Sequence, residues 1–171
     1  MQGESLEESY HINLVINILI RYPEIFTVMY NLESSSFNLS YMINKRLTRD
    51  KYMELARLLE ENLEAYRFFK KKERHPIKLR KKSFSGFTQL EIILPGGSQL
   101  NGEIGLITSI MRDNFKGDLI SEMRLGDDDL SEEEPVSWDE LLELLLNRNP
   151  DSHAKKLFAF RDSGKVYVYD K

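Results

Sequence analysis

The sequence predicts an α+β fold: a largely antiparallel sheet of about five or six strands with three or four helices, in the order α-β-β-α-β-α-β-α-β-β. Three observations predict it. Apolar residues recur at spacings of three and four in some stretches and at alternate positions in others, the two periods of a helix face and a strand face. Strand-like stretches come in pairs with turn residues between them, around 25–43 and 157–169. The chain of 171 residues, 41% hydrophobic and 30% charged, is long enough to bury one core without staples. The expectation is therefore one domain over 1–171, with 70–86 as the stretch where two subdomains would separate.

Each element has its own signal. Residues 5–21 read as a helix, with Leu6, Tyr10, Leu14 and Ile18 four apart and Val15, Leu19 and Tyr22 widening the stripe. Pro23 ends it, because the residue before a proline is pushed out of helical geometry. Residues 25–31 are rich in β-formers, and 32–35 form a turn-like break. Phe37, Leu39, Tyr41 and Ile43 then alternate with Asn38, Ser40, Met42 and Asn44, the pattern of a half-buried strand in a hairpin. Thr48 caps a helix from Arg49 to about Lys71, with Asp50 near its positive end and Tyr52, Leu55, Leu59, Leu63 and Tyr66 on one face. His75-Pro76 marks its outer limit.

Residues 87–94 read as a strand with Thr88, Leu90, Ile92 and Leu94 on one face, followed by a Pro95-Gly96-Gly97 turn. Leu100, Ile104, Ile107 and Met111 mark a helix reaching Phe115, weakened by Gly102 and Gly105 at roughly 1 kcal/mol each relative to alanine. A short strand is expected over 119–125. Ser137 and Glu140 form a capping box for a leucine-rich helix ending near Arg148. Residues 157–161 and 165–169 form a hairpin around Asp162-Ser163-Gly164, with Tyr167 and Tyr169 facing opposite to Val166 and Val168.

Composition excludes several chemistries. There is no cysteine, so thiolate nucleophiles, disulfides, zinc ribbons and iron–sulfur ligation are all ruled out. The acidic start lacks the basic and apolar regions of a secretory signal, and the most apolar run is too short to cross a membrane. A cytoplasmic protein without membrane contact is expected. The three histidines, His11, His75 and His153, have no second ligand at metal spacing, and HExxH, GxSxG, GxGxxG and Walker patterns are absent. No catalytic residue, metal site or cofactor is expected, although an enzyme of unrecognised type is a second alternative.

Charge is the distinctive feature. The net charge is -4, but residues 1–86 hold 15 Lys+Arg against 11 Asp+Glu while residues 87–171 hold 9 against 17. Between Arg67 and Lys82, nine cations face only Glu73; between Asp127 and Glu143, nine carboxylates face no cation. The acidic stretch lacks the alternate spacing of a calcium loop.

Two kinds of partner follow. The first is a protein, including a second copy of this chain. Trp138, Leu142 and Leu145 of the leucine-rich helix, and Tyr167 and Tyr169 of the last strand, are the candidate contacts, since aromatic anchors and sheet edges carry association. The alternative partner is nucleic acid. Lys70, Lys71, Lys72, Arg74, Lys78, Arg80, Lys81 and Lys82 would hold phosphates, and Phe68, Phe69, Phe84 and Phe87 would stack on unpaired bases if they do not belong to the core. The overall acidity weighs against a dedicated nucleic-acid binder. The expected function is non-catalytic protein interaction or regulation, with self-association through 138–146 or the terminal hairpin.

Overall fold

The computed structural model describes residues 2–72, 77–95, 100–121, 156–162 and 165–170. Its elements are helix α1 (Gln2–Arg21), strands β1 (Ile25–Asn31) and β2 (Ser36–Ile43), helix α2 (Arg49–Phe69), strands β3 (Lys78–Ser83) and β4 (Thr88–Pro95), helix α3 (Leu100–Phe115) with a 3-10 turn at Lys116–Asp118, and strands β5 (Lys156–Asp162) and β6 (Lys165–Asp170). The six strands form one antiparallel sheet in the order β3-β4-β2-β1-β5-β6. This is the expected α+β architecture, built from three hairpins with β1–β2 at the centre.

The central hairpin forms where β-branched and aromatic residues meet a well-made turn. Asn31 Oδ1 accepts from the backbone N–H groups of Glu33 and Ser34 at 3.0 and 3.2 Å. Ser35 takes the left-handed conformation, with φ 51. A bulge between Ile25 and Thr27 lets Ile25 and Val28 both point to the helices. The core lies on that side, where Phe37, Leu39, Tyr41 and Ile43 meet Leu90, Ile92 and Leu94 in register.

All three helices contribute to this one core. α1 lies over β1, β5 and β6, and α2 packs beside α3. In α1 the packed stripe is Val15, Ile18, Leu19 and Tyr22, whereas Tyr10, expected on it, is exposed. α2 starts on Thr48, whose hydroxyl accepts from Lys51 N–H at 3.2 Å. It buries Leu55, Leu59 and Leu63, and Tyr52 Oη donates to the Leu79 carbonyl of β3 at 2.8 Å. It ends before the proline: Lys71 has φ 55, and Lys72 N–H reaches back to Arg67 O at 2.8 Å.

The glycines that weaken α3 on propensity have a packing role. A Cβ at Gly102 would collide with the Tyr66 hydroxyl of α2, and one at Gly105 would lie 3.2 Å from the hydroxyl of Tyr22, just after α1. Both residues let a neighbouring tyrosine lie against the helix backbone.

Two elements differ in detail from expectation, and a third is untested. The basic stretch supplies an edge strand, β3, which alternation does not reveal because its residues are Lys-Leu-Arg-Lys-Lys-Ser. The expected strand over 119–125 is a single bridge from Leu119 to Ile43, with residues 122–125 outside the described part. The expected leucine-rich helix also lies outside the described residues.

Tyr41 ties the sheet to α3, with its hydroxyl 2.8 Å from Thr108 Oγ1 and its ring fully buried. Burial pushes its phenol well above the ordinary value, against a weaker opposing pull from the Thr108 hydrogen bond. The folded state thus keeps the proton while the unfolded chain releases it near pH 10. This contribution is complete below about pH 10 and declines as the pH rises above it. In a spectrophotometric titration of the eight tyrosines, Tyr41 should ionise only with unfolding. Tyr41→Phe should remove that late step and cost about 1–3 kcal/mol by stranding the Thr108 hydroxyl.

Candidate interaction surfaces

The register divides the sheet into two unlike faces. Thr27, Met29, Asn38, Ser40, Gln89, Glu91, Ile93, Phe158 and Phe160 share the face opposite the main core. Among the described residues no helix packs there. One end of this face carries a small second cluster of Phe26, Met42 and Phe87, with Phe84 and Ile120 against it.

At one edge, β6 places Tyr167 opposite Phe160 and Tyr169 opposite Phe158. Phe160 stacks on Tyr167 at 5.4 Å and on Tyr169 at 5.5 Å, with interplanar angles of 20° and 13°. Phe158 lies 5.9 Å from Phe160. The two phenylalanines are buried, while Tyr167 and Tyr169 remain 40% and 49% exposed. Val166 and Val168 pack toward the main core, as alternation predicts. The sequence named the two tyrosines but not their phenylalanine partners; the β5–β6 register is the signal that joins them. The outer edge of β6 has no paired strand among the described residues.

At the other edge the basic stretch is split. Arg67, counted among its cations, is 4% exposed and forms an ion pair with Glu103 of α3, Nε to Oε1 at 2.9 Å. It is a structural residue. Lys81 faces the core side with Leu79; its Nζ donates to Leu47 O at 3.3 Å and lies 5.4 Å from the Tyr52 ring. Lys78, Arg80 and Lys82 share the opposite face. Lys82 lies over the Phe84 ring at 5.2 Å and is half-buried, while Lys78 and Arg80 are exposed. Arg80 is in register with Glu91. Lys70 and Lys71 are exposed just past α2, and Lys72 is half-buried.

The aromatic residues of this stretch divide too. Phe87 is buried and stacks on Phe84 at 4.8 Å, so this pair serves the second cluster. Phe68 and Phe69 are 79% and 81% exposed, with ring centres 6.0 Å apart and nearly perpendicular. They sit on the last turn of α2, beyond the buried Leu63.

Arg74, His75, Trp138, Leu142, Leu145, His153 and the acidic stretch 127–143 lie outside the described residues. Among the described residues no group of three or more His, Asp or Glu is placed to hold a metal ion, and no described helix is long and apolar enough to cross a membrane. His11 stacks on Tyr30 at 4.2 Å. The buried Glu24 accepts from Arg112 Nε, and that hydrogen bond raises the guanidinium pKa above its ordinary value. Glu103 thus joins α3 to α2, and Glu24 joins the turn after α1 to α3.

A comparison of the chain with protein families, curated proteins and solved structures finds no match. The described residues form an α+β fold whose three described helices contribute to the core on one face of the sheet, and such a fold does not by itself imply a function.

The division of the cations carries a direct test. Arg67→Met leaves the Glu103 carboxylate buried without its partner and should cost about 3–5 kcal/mol in urea unfolding. Lys70→Gln and Lys71→Gln should each stay within about 0.5 kcal/mol, because their side chains are solvated.

Proposed function

We propose that this protein acts by association rather than by catalysis, as an interaction or regulatory protein, and that it self-associates along β6. One observation carries the reading: two half-exposed tyrosines stand side by side on an edge strand, stacked on a phenylalanine that anchors them to the sheet. Contiguous aromatic surface with a rigid base is the composition of an interface centre. An edge strand also offers unpaired backbone groups to another strand.

A second copy suits this edge by symmetry. In an antiparallel pair centred on Val168, each Tyr167 lies opposite Tyr169 of the second copy, and the two Val168 residues face each other. That register places aromatic beside aromatic on one face and aliphatic beside aliphatic on the other. It is isologous, so it closes at two copies and exposes no further edge of the same kind. The compartment in this reading is the cytoplasm, supported by the cysteine-free composition.

Sedimentation equilibrium over a range of concentrations tests the reading. The native chain should show a monomer–dimer equilibrium. The double variant Tyr167→Lys/Tyr169→Lys should weaken it by about tenfold or more, corresponding to at least about 1.4 kcal/mol, while leaving the urea midpoint nearly unchanged. A strict monomer, or a dimer indifferent to both substitutions, overturns the reading.

A further inference from the structure

At one end of the sheet the strands are buried on both sides, and the described helices account for one side only. On the face opposite the main core, Thr27, Ser40, Met42, Gln89, Phe158 and Phe160 are at most 5% exposed. Register joins them across four strands: Phe160 pairs with Thr27, Thr27 with Ser40, and Met42 with Gln89. Farther along the same face, toward the Asn31 turn, Met29, Asn38 and Ile93 are only half-buried. A sheet face left to water shows exposed, polar residues at alternate positions, whereas burial at successive residues marks a second layer. Among the described residues no helix supplies that layer, and the apolar residues packed against the Phe26–Met42–Phe87 cluster are Phe84 and Ile120. The burial is that of a single chain, so the cover comes from the chain itself.

We infer that this face is the docking site of the chain's own leucine-rich stretch, residues 138–146. Five of the six residues 141–146 are leucine, and Ser137 with Glu140 caps the helix that the sequence predicts there. Such a helix is apolar on more than one side and needs cover. Its connections suit this face. Ile120 N–H donates to Met42 O at 2.9 Å and its side chain packs on the Phe26–Met42–Phe87 cluster. The chain resumes at Lys156 in β5, with Phe158 and Phe160 turned to the same side. Residues 122–155, 34 in number, lie between these points, whereas the other internal stretches outside the described residues, 73–76, 96–99 and 163–164, have four residues or fewer. Nine helical residues span about 14 Å, the width of about three strands, which matches β2, β1 and β5. The chemistry agrees as well. Met42, Phe158 and Phe160 offer apolar surface, and Gln89 Nε2 donates to Ser40 Oγ at 3.3 Å, a polar pair made within the face. Lys78 and Arg80 of β3 are exposed on this same side, where they suit the carboxylates that precede the leucines. Leu142 and Leu145, candidate contacts for a partner in the sequence, are then engaged within the chain. The inference does not depend on association along β6.

The cysteine-free chain allows single cysteines to report on each side of the sheet. Ser40→Cys reports on the docking face, Val28→Cys on the main core and Ser109→Cys on open solvent, since Ser40 and Val28 are buried and Ser109 is exposed. Reaction with a thiol reagent is followed in the full chain. Ser40→Cys should react at least about tenfold more slowly than Ser109→Cys, because a local opening must precede reaction. Adding Leu142→Ala/Leu145→Ala should speed the reaction at Ser40→Cys by about tenfold or more while Val28→Cys stays protected. Leu142→Lys/Leu145→Lys should act in the same direction and more strongly. The protection should not change on dilution. Fast reaction of Ser40→Cys in the chain with native leucines overturns the inference, as does indifference to both leucine variants. Loss of protection on dilution overturns it in favour of cover by a second copy. Equal opening at Val28→Cys in the alanine variant overturns it too, because the leucines would then belong to the main core.

Discussion

Side-chain alternation along the central hairpin is the constraint on which the rest of this molecule depends. β1 and β2 place Val28, Tyr30, Phe37, Leu39, Tyr41 and Ile43 on one face, and all three described helices contribute to the core there. Because strand period is two, a slip of one residue would carry this entire set to the other side. Three features hold the register: the Asn31 turn, the bulge at Ile25–Thr27, and the Tyr41–Thr108 hydrogen bond to α3. Their local costs, a left-handed Ser35 and a buried hydroxyl pair, are small beside the apolar area that a fixed register puts out of water.

Ion pairs then fix the helices relative to each other rather than to solvent. Arg67–Glu103 joins α2 to α3, and Arg112–Glu24 joins α3 to the turn after α1. Arg161 adds hydrogen bonds to the carbonyls of Tyr22 and Pro23, bringing β5 to the same turn. Such pairs need not raise stability over apolar substitutes, but each is costly to break from one side. They specify which helix face meets which neighbour, a role that greasy contacts alone fill poorly.

Much of this was legible in the sequence where period and composition agree. The alternation of Phe37 to Ile43 and of Thr88 to Leu94 reads directly as half-buried strands, and the Leu55–Leu59–Leu63 spacing as a helix face. Legibility fails where long-range pairing decides. β3 has the composition of a solvated loop, yet the β4 edge accepts it because Leu79 and Lys81 pack on the core side while Lys78 and Arg80 are exposed on the other. Tyr10 falls on the right spiral but is exposed, while the next residue, His11, stacks on Tyr30 of β1. For the surfaces, the tyrosines of β6 follow from alternation, but their phenylalanine base needs the register of β5. The exposure of Phe68 and Phe69, against the burial of Phe87, is set by where α2 ends, and no local pattern encodes that.

The two edges of the sheet explain why one protein would carry two different surfaces. An open edge is a hazard unless its chemistry decides what can pair with it. On β3 the exposed Lys78 and Arg80 would meet like charges in a symmetric pairing, which disfavours a second copy there. On β6 the residues facing outward at the centre of the strand are tyrosine and valine, with Lys165 and Asp170 only at its ends. Symmetric pairing there buries aromatic surface and opposes no like charges between Val166 and Asp170. In the association proposed above, strand composition favours pairing at β6 and disfavours it at β3, so the two edges differ in what they can accept.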